Sequence, residues 1–297
     1  MVGYLNILEL GGLNILLALS VYATYMVGQF SLAQVGFWSI GAVVTGMLTT
    51  MFGYSLLPAL MASALLCAFI GLILGYPCLR IRGIYLALAT VGFSEVVRVF
   101  FHNFKYQVEI GGKMVGPEGS QGFLGIHVQT AWPQILTAVV LVAGLFAWLE
   151  RSRVGLSAKA VREDEVAAAA SGINVVAIKV GMFAFGAAIA AMGGGLYATY
   201  LSSINTDYFG FHLALVSIFY VAVGGSERYI GPVIGAAVLT VLPELLRGFG
   251  DYRMIVYGLI VLVLTLVFPR GLAGEFWARV SSLWRSKAEP PPVERGS

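Results

Sequence analysis

Long apolar runs separated by short polar stretches dominate this chain. A helical window of about 20 mostly apolar residues matches the thickness of a bilayer core. Such windows predict about nine membrane-spanning helices, with eight to ten as the range. They lie near residues 7–27, 36–52, 56–77, 83–101, 131–149, 176–201, 212–225, 230–247 and 253–269. The seventh window is short and contains glycine, so we expect a broken or re-entrant helix there.

The composition supports an all-α, polytopic integral membrane protein. Hydrophobic residues make up 59% of the chain and charged residues 11%, against about 25% charged residues in soluble domains. The apolar runs are continuous, whereas transmembrane β-barrels have short segments of alternating polarity. We predict a transmembrane domain over residues 1–274 and a cytoplasmic, partly disordered tail over residues 275–297, where proline and charge are frequent.

The basic residues predict an orientation. If residues 150–179, Arg80, Arg82, Arg228 and the segment after Pro269 share one side, that side holds thirteen of the eighteen lysines and arginines. The positive-inside rule makes this side cytoplasmic. An odd number of spans then places the N-terminus outside and the C-terminus in the cytoplasm. The net charge is only +3, which gives no indication of a nucleic-acid partner.

Motifs for catalysis and metal binding are absent from the sequence. It contains no G-x-x-x-x-G-K-[ST] and no H-E-x-x-H, and no nucleophile stands beside a candidate base. His102, His127 and His212 fall near predicted outer ends and form no obvious metal set. Cys67 and Cys78 lie about 16 Å apart on one predicted helix, too far for a disulfide. We therefore expect no enzyme activity, no catalytic residue, no metal site and no cofactor bound by this chain.

Few ionisable groups fall inside the predicted spans. Glu95 and Arg98 are three residues apart on the fourth helix, so they share a face and can pair. Charge in a membrane is a functional candidate, but a mutually satisfied pair that locks two helices together is the simpler interpretation. Ion-coupled transporters usually carry unpaired acids or unwound segments near the midplane, so energy is expected from outside the membrane. An ion-coupled secondary transporter and a passive channel for a small neutral or zwitterionic solute remain alternatives.

Glycine and other small residues form three notable segments. GQFSLAQVGFWSIGA (residues 28–42) and GGSERYIGPVIGA (residues 224–236) each end one span and begin the next. Since glycine permits close backbone approach, these two are either bent elements that line a pathway or tight turns with ordinary packing. The run AFGAAIAAMGGGLYA (residues 184–198) predicts close helix packing. The outer loop, residues 102–130, is either a docking surface or a flexible linker.

The most polar segment inside the apolar region is residues 150–179, ERSRVGLSAKAVREDEVAAAASGINVVAIK. Ser157 fits a helix N-cap, and residues 158–171 favour a helix. Gly172 followed by Ile173 fits a Schellman ending. The predicted helix has a charged first half and a smooth, alanine-rich second half. This pattern predicts a docking element for a partner protein, with a solvated loop helix as the alternative.

Part of this segment, AKAVREDEVAAAASGINV, closely resembles the cytoplasmic coupling loop of ABC-type permeases for branched-chain amino acids. The resemblance continues in GIYLALATVGFSEVVRV, GPEGSQGF, GGSERYIGPVIGAAVLTVLPELLR and FPRGLAG, and it covers most of the chain from about residue 28 to residue 274. It implies a permease subunit in the cytoplasmic membrane of a bacterium or archaeon. The implied partners are the lipid bilayer, a second related permease, two cytoplasmic ATPase subunits that bind ATP-Mg, and a periplasmic solute-binding protein.

The residues and the resemblance together predict two functional sets. Docking on the ATPase is expected from Lys159, Arg162, Glu163, Asp164, Glu165, Ala169 and Gly172. The translocation pathway is expected to use Ser31, Gln34, Gly36, Tyr85, Thr90, Tyr220, Tyr229 and Gly231. A mostly apolar pathway suits an aliphatic solute. Branched-chain amino acids, other amino acids, amides and urea all fit the resemblance.

Overall fold

The computed structural model describes residues 2–78, 80–81, 83–110, 113–126, 130–268 and 271–275. The predicted tail lies outside the described residues from position 276 onward, as do Arg82, His127 and Pro269. The described chain forms these helices: α1 (Val2–Tyr25), α2 (Gln34–Thr50), α3 (Leu56–Cys78), α4 (Ile84–Asn103), α5 (Trp132–Arg151), α6 (Arg153–Glu163), α7 (Glu165–Ala170), α8 (Val175–Leu201), α9 (Phe211–Gly224), α10 (Ile230–Leu245) and α11 (Arg253–Val267).

The predicted class, a polytopic all-α membrane protein, is confirmed. Among the described residues, seven helices are long and apolar enough to cross a membrane: α1, α3, α4, α5, α8, α10 with the turn after it, and α11. Helices α2 and α9 have 17 and 14 residues. They measure about 26 and 21 Å, less than a bilayer core of about 30 Å. Each of the nine predicted windows therefore contains a helix, but the count of nine spans is not confirmed.

Helix α2 is enclosed by protein. Fourteen of its seventeen residues are buried, and it packs against α8, α3 and α4. A helix that is apolar all round is expected either in a buried position or in a membrane. The apolar pattern therefore did not distinguish α2 from a helix that faces lipid.

Helix α8 is the longest helix, with 27 residues, and packs against α1, α2 and α3. Its contact with α2 brings the two backbones together. A Cβ at Gly41 would lie 2.2 Å from the Ala191 carbonyl oxygen, and one at Gly194 would lie 2.0 Å from the Trp38 carbonyl oxygen. Only glycine fits at these positions, in agreement with the close packing that the small residues of α8 predict.

In its described part, the loop of residues 102–130 forms strands of a small sheet and is not an unstructured linker. Its strands β1 (Val108–Ile110), β2 (Lys113–Pro117) and β3 (Phe123–Leu124) join β4 (Ser203–Ile204) in an antiparallel sheet of order β1-β2-β3-β4. Phe123 and Ile126 are buried. A Cβ at Gly46 of α2 would lie 2.9 Å from the Phe123 ring, so the sheet covers the end of α2. We call this the sheet end of the bundle, and the opposite end, which carries α6 and α7, the hairpin end.

Candidate functional site

The polar segment 150–179 folds into a hairpin of two short helices between α5 and α8. Ser152 separates α5 from α6, and its hydroxyl accepts a hydrogen bond from the Gly155 N–H at 3.2 Å. A Cβ at Gly155 would lie 2.0 Å from the Leu149 carbonyl oxygen, so glycine allows the tight elbow. The predicted N-cap at Ser157 is wrong, because Ser152 caps α6 and Ser157 lies inside it.

The predicted single helix over residues 158–171 is also wrong. Asp164 leaves the helical conformation, with φ −153° and ψ 111°, and separates α6 from α7. Its Oδ1 accepts from the N–H groups of Val166 at 2.8 Å and Ala167 at 3.0 Å. Aspartate is favoured at an N-cap because its carboxylate satisfies the free N–H groups of the first turn. Asp164 is therefore the cap of α7 and does not continue α6.

The predicted Schellman ending is present at Gly172. This glycine has φ +81°, a left-handed conformation that is costly for residues with a side chain. The Ile173 N–H donates to the Ala168 carbonyl at 3.1 Å, and the Gly172 N–H donates to the Ala169 carbonyl at 3.0 Å. These are the two hydrogen bonds of the motif, and they fix the tip of the hairpin.

One side of the hairpin is exposed and carries small apolar side chains. Val166 is apolar and 79% exposed, and it lies in a polar segment outside the predicted spans. We define the hairpin face by its exposed residues: Glu163, Asp164, Val166, Ala167, Ala169 and Ala170. Exposed apolar surface of this kind is typical of interaction sites.

Arg162 faces the interior of its own chain. Its Nη1 donates to the Ser226 carbonyl oxygen at 2.9 Å, and its Nη2 donates to the Ser226 hydroxyl at 3.2 Å. The guanidinium also lies over the Tyr25 ring, 4.9 Å from the ring centroid. A Cβ at Gly28 would be 3.6 Å from the Arg162 Cα. Arg162 therefore joins α6 to both glycine-rich connections, the one after α1 and the one after α9.

Glu150 makes a second link between these elements. Its Oε1 accepts from the Tyr22 hydroxyl at 2.6 Å and from the Tyr229 N–H at 2.7 Å. One carboxylate oxygen at the end of α5 thus bonds both α1 and the residue that precedes α10. This role was not predicted, because the partners are 128 and 79 positions away and leave no local pattern.

Lys179 holds α7 to the first turns of α8. Its ammonium group forms an ion pair with Glu165 Oε1, and Lys179 is only 7% exposed. Because burying a cation is costly, a buried lysine needs such a partner. Arg162 and Glu165 both face their own chain. The predicted docking residues that lie at the surface are Glu163, Asp164, Ala169 and Gly172, with Lys159 half-buried.

Hydroxyl groups of α4 satisfy the irregular backbone between α1 and α2. Thr90 Oγ1 accepts from the Leu32 N–H at 3.0 Å. Ser94 Oγ accepts from the Gly36 N–H at 3.2 Å and donates to the Leu32 carbonyl at 3.0 Å. Non-helical backbone at membrane depth requires such partners. The structure thus brings the predicted residues Gly36 and Thr90 together. Ser94 was not predicted, although it follows Thr90 by one helical turn.

Two more predicted pathway residues lie in the same connection. Ser31 is buried, and its hydroxyl accepts from the Ala33 N–H at 3.2 Å. Gln34 is fully buried, and neither amide atom of its side chain has a hydrogen-bond partner among the described residues. Four of the eight predicted residues therefore lie in, or bond to, the segment from residue 31 to residue 36 at the start of α2.

The remaining four predicted pathway residues are dispersed. Tyr85 is 72% exposed on the surface of α4, whereas Tyr220 is buried where α9 packs on α10. A Cβ at Gly231 would lie 2.0 Å from the Gly225 carbonyl oxygen, so this glycine serves close packing. Tyr229 is half-buried and donates its N–H to Glu150. The structure does not bring these four residues together along one pathway.

Glu95 and Arg98 form an ion pair, with 2.7 Å between Arg98 Nε and Glu95 Oε2. Arg98 also contacts Asp207 Oδ1 at 3.2 Å, and the Phe211 N–H donates to Glu95 Oε1 at 3.1 Å. Phe211 is the first residue of α9, and Asp207 lies in the turn before it. The pair therefore fastens α4 to the start of α9. This agrees with the simpler interpretation, in which a mutually satisfied ion pair locks two helices together.

Potential metal ligands do not cluster in the described part of the chain. No group of three or more His, Cys, Asp or Glu side chains there could hold a metal ion. Cys67 and Cys78 are both free thiols. The candidate site therefore consists of the hairpin and the groups that join it to the bundle.

A cleft of about 320 Å³ opens at the hairpin end between α1, the connection after it, α9 and α11. Apolar side chains of α1 and α9, together with Phe268 after α11, form the carbon surface of its wall, and α11 itself contributes Thr265. Polar groups border it: Gln29, Ser31, Arg162, Ser226 and Glu227. The cleft therefore meets the hairpin at Arg162.

Comparison with known proteins gives consistent matches. The protein-family model that describes the permease component of branched-chain amino acid transport systems matches residues 3–266 of this chain. LivM of Salmonella typhimurium, a high-affinity branched-chain amino acid transport system permease protein, is 29% identical over 88% of this chain and 66% of its own length. LivH of the same organism is 32% identical over 47% of this chain and 46% of its own. A probable LivH of Methanocaldococcus jannaschii is 23% identical over 91% of both chains.

The chain thus covers slightly less than two thirds of LivM, at 66%. No solved structure matched the chain significantly. The matched region contains all eleven helices apart from the ends of α1 and α11. The hairpin and the cleft both lie within it.

Proposed function

This chain belongs to the family of permease components of branched-chain amino acid transport systems, and we propose that it is the transmembrane subunit of an ATP-driven importer. The proposed solute is a branched-chain or related small amino acid that a solute-binding protein delivers. The family match over residues 3–266 supports this function. So do the relatives LivM and LivH, which are named as permease proteins of branched-chain amino acid transport systems.

The observation that carries the proposal is the exposed hairpin face. Val166, at 79% exposed, stands among small alanines that leave a smooth surface. Burying this apolar area on a partner is favourable because it removes the area from water. Glu163 and Asp164 border the surface and suit a groove with a basic rim. We assign the groove to an ATPase subunit that binds ATP-Mg, one of two that serve this chain and a second related permease.

Two internal contacts would carry motion of the hairpin into the bundle. Arg162 bonds α6 to Ser226 and lies over Tyr25. Glu150 bonds the end of α5 to Tyr22 and to the Tyr229 N–H. A displacement of the hairpin on ATP binding therefore moves the ends of α1, α9 and α10 together. In the proposed mechanism this movement alternates the bundle between outward-open and inward-open states.

We place the chain in the cytoplasmic membrane of a bacterium or archaeon, with the hairpin end in the cytoplasm. Seven helices suitable for spanning support a multi-pass protein, and the excess of basic residues at the hairpin end supports the orientation. The N-terminus then lies outside and the C-terminus inside. In this orientation the sheet over α2 faces outward and offers a surface to the solute-binding protein.

Val166→Glu tests the docking proposal in the chain coexpressed with its partner subunits. The substitution places an unpaired carboxylate in the proposed groove, and desolvating an unpaired charge is unfavourable. We expect copurification of the ATPase subunits and ATP-driven uptake of leucine to fall at least about tenfold, a loss of about 1.4 kcal/mol. Val166→Ala keeps the surface smooth and should retain both.

Three outcomes would contradict the proposal. Normal ATPase binding and uptake with Val166→Glu would exclude the hairpin face as the docking surface. Gradient-driven uptake by the chain alone in liposomes would favour a secondary transporter, and ATP-independent passive flux would favour a channel.

A further inference from the structure

The cleft at the hairpin end combines an apolar wall with two opposite charges. Val21, Ile218, Val221, Ala222 and Phe268 supply carbon surface. Arg162 and Glu227 both line the same cleft. Its volume of about 320 Å³ lies at the lower end of the range for small-molecule sites. These dimensions and charges suit a small zwitterion with an aliphatic side chain.

The charged groups keep unused bonding capacity. Arg162 donates one N–H from each Nη atom to Ser226, and a guanidinium has five N–H donors, so three have no acceptor among the described residues. Glu227 is exposed and forms no salt bridge with another described residue. Gln29 also lines the cleft, and its buried Oε1 has no hydrogen-bond partner in the described part of the chain. An ammonium group would supply the donor that Gln29 and Glu227 lack.

We propose that this cleft binds a small aliphatic α-amino acid, with its carboxylate on Arg162, its ammonium group on Glu227 and its side chain on the apolar wall. The proposal rests on the proposed transport function and names a place where the solute is held at the hairpin end. Arg162 belongs to α6, whereas Glu227 follows α9. A bound amino acid therefore bridges the same two elements that the Arg162–Ser226 contact joins.

Binding is measured with radiolabelled L-leucine on the purified full-length chain in lipid nanodiscs, without any ATPase subunit. We expect saturable binding. 4-Methylpentanoate lacks the ammonium group and 3-methylbutylamine lacks the carboxylate. Each analogue leaves one protein charge without its partner and should compete at least about tenfold more weakly than L-leucine.

Two variants locate the binding. Ala222→Phe fills the cleft from an exposed position, and Glu227→Gln removes the carboxylate charge. Each should lower the affinity for L-leucine at least about tenfold. The controls are Ala89→Phe at an exposed position of α4 and Glu109→Gln at an exposed position of β1, and both should leave the affinity unchanged.

The site is overturned by an absence of saturable binding, by equal competition from either analogue, or by unchanged affinity in either cleft variant. Such a result leaves the docking proposal standing, because no ATPase is present in the assay. Conversely, the Val166→Glu variant should bind L-leucine normally even where it no longer binds the ATPase subunits. The docking proposal and the cleft proposal can therefore be contradicted independently.

Discussion

Arg162 and Ser226 are 64 positions apart, and the guanidinium of Arg162 donates to both the backbone oxygen and the hydroxyl of Ser226, at 2.9 and 3.2 Å. This paired contact ties α6 to the turn after α9. The turn is closely packed, because a Cβ at Gly271 would lie 2.2 Å from the Gly225 Cα. The hairpin therefore connects to a packed glycine turn and not to a loose loop, so its movement must displace α9 and the segment after α11.

Arg162→Lys should separate docking from the internal roles of Arg162, which are the contact with Ser226 and the proposed contact with the solute. Lysine keeps the positive charge but loses the planar fork that reaches both Ser226 oxygens. We expect the ATPase subunits to copurify normally while leucine uptake falls at least about tenfold. Arg153→Lys is the control, because Arg153 is an exposed arginine of the same helix. Loss of ATPase binding with Arg162→Lys would instead identify Arg162 as a docking residue, as its place in the sequence suggested.

Glu150→Ala should destabilise the bundle through two separate partners. The substitution leaves the buried Tyr22 hydroxyl and the Tyr229 N–H without their acceptor, and an unsatisfied buried polar group costs about 1–3 kcal/mol. We expect a lower midpoint of thermal unfolding in detergent. Tyr22→Phe should lower it less, and the double variant should be less destabilised than the sum of the two single variants. Additive effects would show that the 2.6 Å contact contributes nothing to stability.

Local patterns predicted much of this structure, and contacts between distant residues did not follow from them. The apolar windows located a helix in each place, and Gly172 located the end of α7. The break at Asp164 was missed because aspartate is compatible with a helix interior and with an N-cap, and the alanines after it favour helix in both cases. The sheet was missed because β3 and β4 have two residues each and lie about 80 positions apart.

The difference between local patterns and contacts of distant residues also separates the predicted docking residues from the predicted pathway residues. The hairpin is contiguous, so its surface was predicted even though the inward direction of Arg162 was not. The pathway residues come from four helices and two connections, and only packing decides which of them meet. Ser31, Gln34, Gly36 and Thr90 meet at the start of α2, whereas Tyr85 remains at the surface of α4.

Lys179→Met should loosen the hairpin without unfolding the bundle. Methionine keeps the apolar stem of a side chain that is only 7% exposed but removes the ion pair with Glu165. We expect hydrogen exchange of the amides in residues 166–171 to accelerate at least about tenfold, since exchange reports local opening. Lys159→Met, at a half-buried position of α6, should change it little. Equal exchange in wild type and Lys179→Met would exclude this ion pair as the fastening of α7.

Gly194→Ala and Gly181→Ala should have opposite effects, although both glycines lie in α8. A Cβ at Gly194 would stand 2.0 Å from the Trp38 carbonyl oxygen, whereas Gly181 has no atom within 4 Å of the corresponding position. Alanine at 194 must push α2 away from α8, and overpacking of this kind costs about 1–3 kcal/mol or more. Alanine at 181 meets no obstacle and gains about 0.5–1 kcal/mol, because glycine loses more backbone freedom in a helix. Thermal unfolding of both variants in the same detergent measures the difference. A Gly194→Ala variant as stable as Gly181→Ala would mean that α2 and α8 do not pack at backbone distance, and the buried position of α2 would then be wrong.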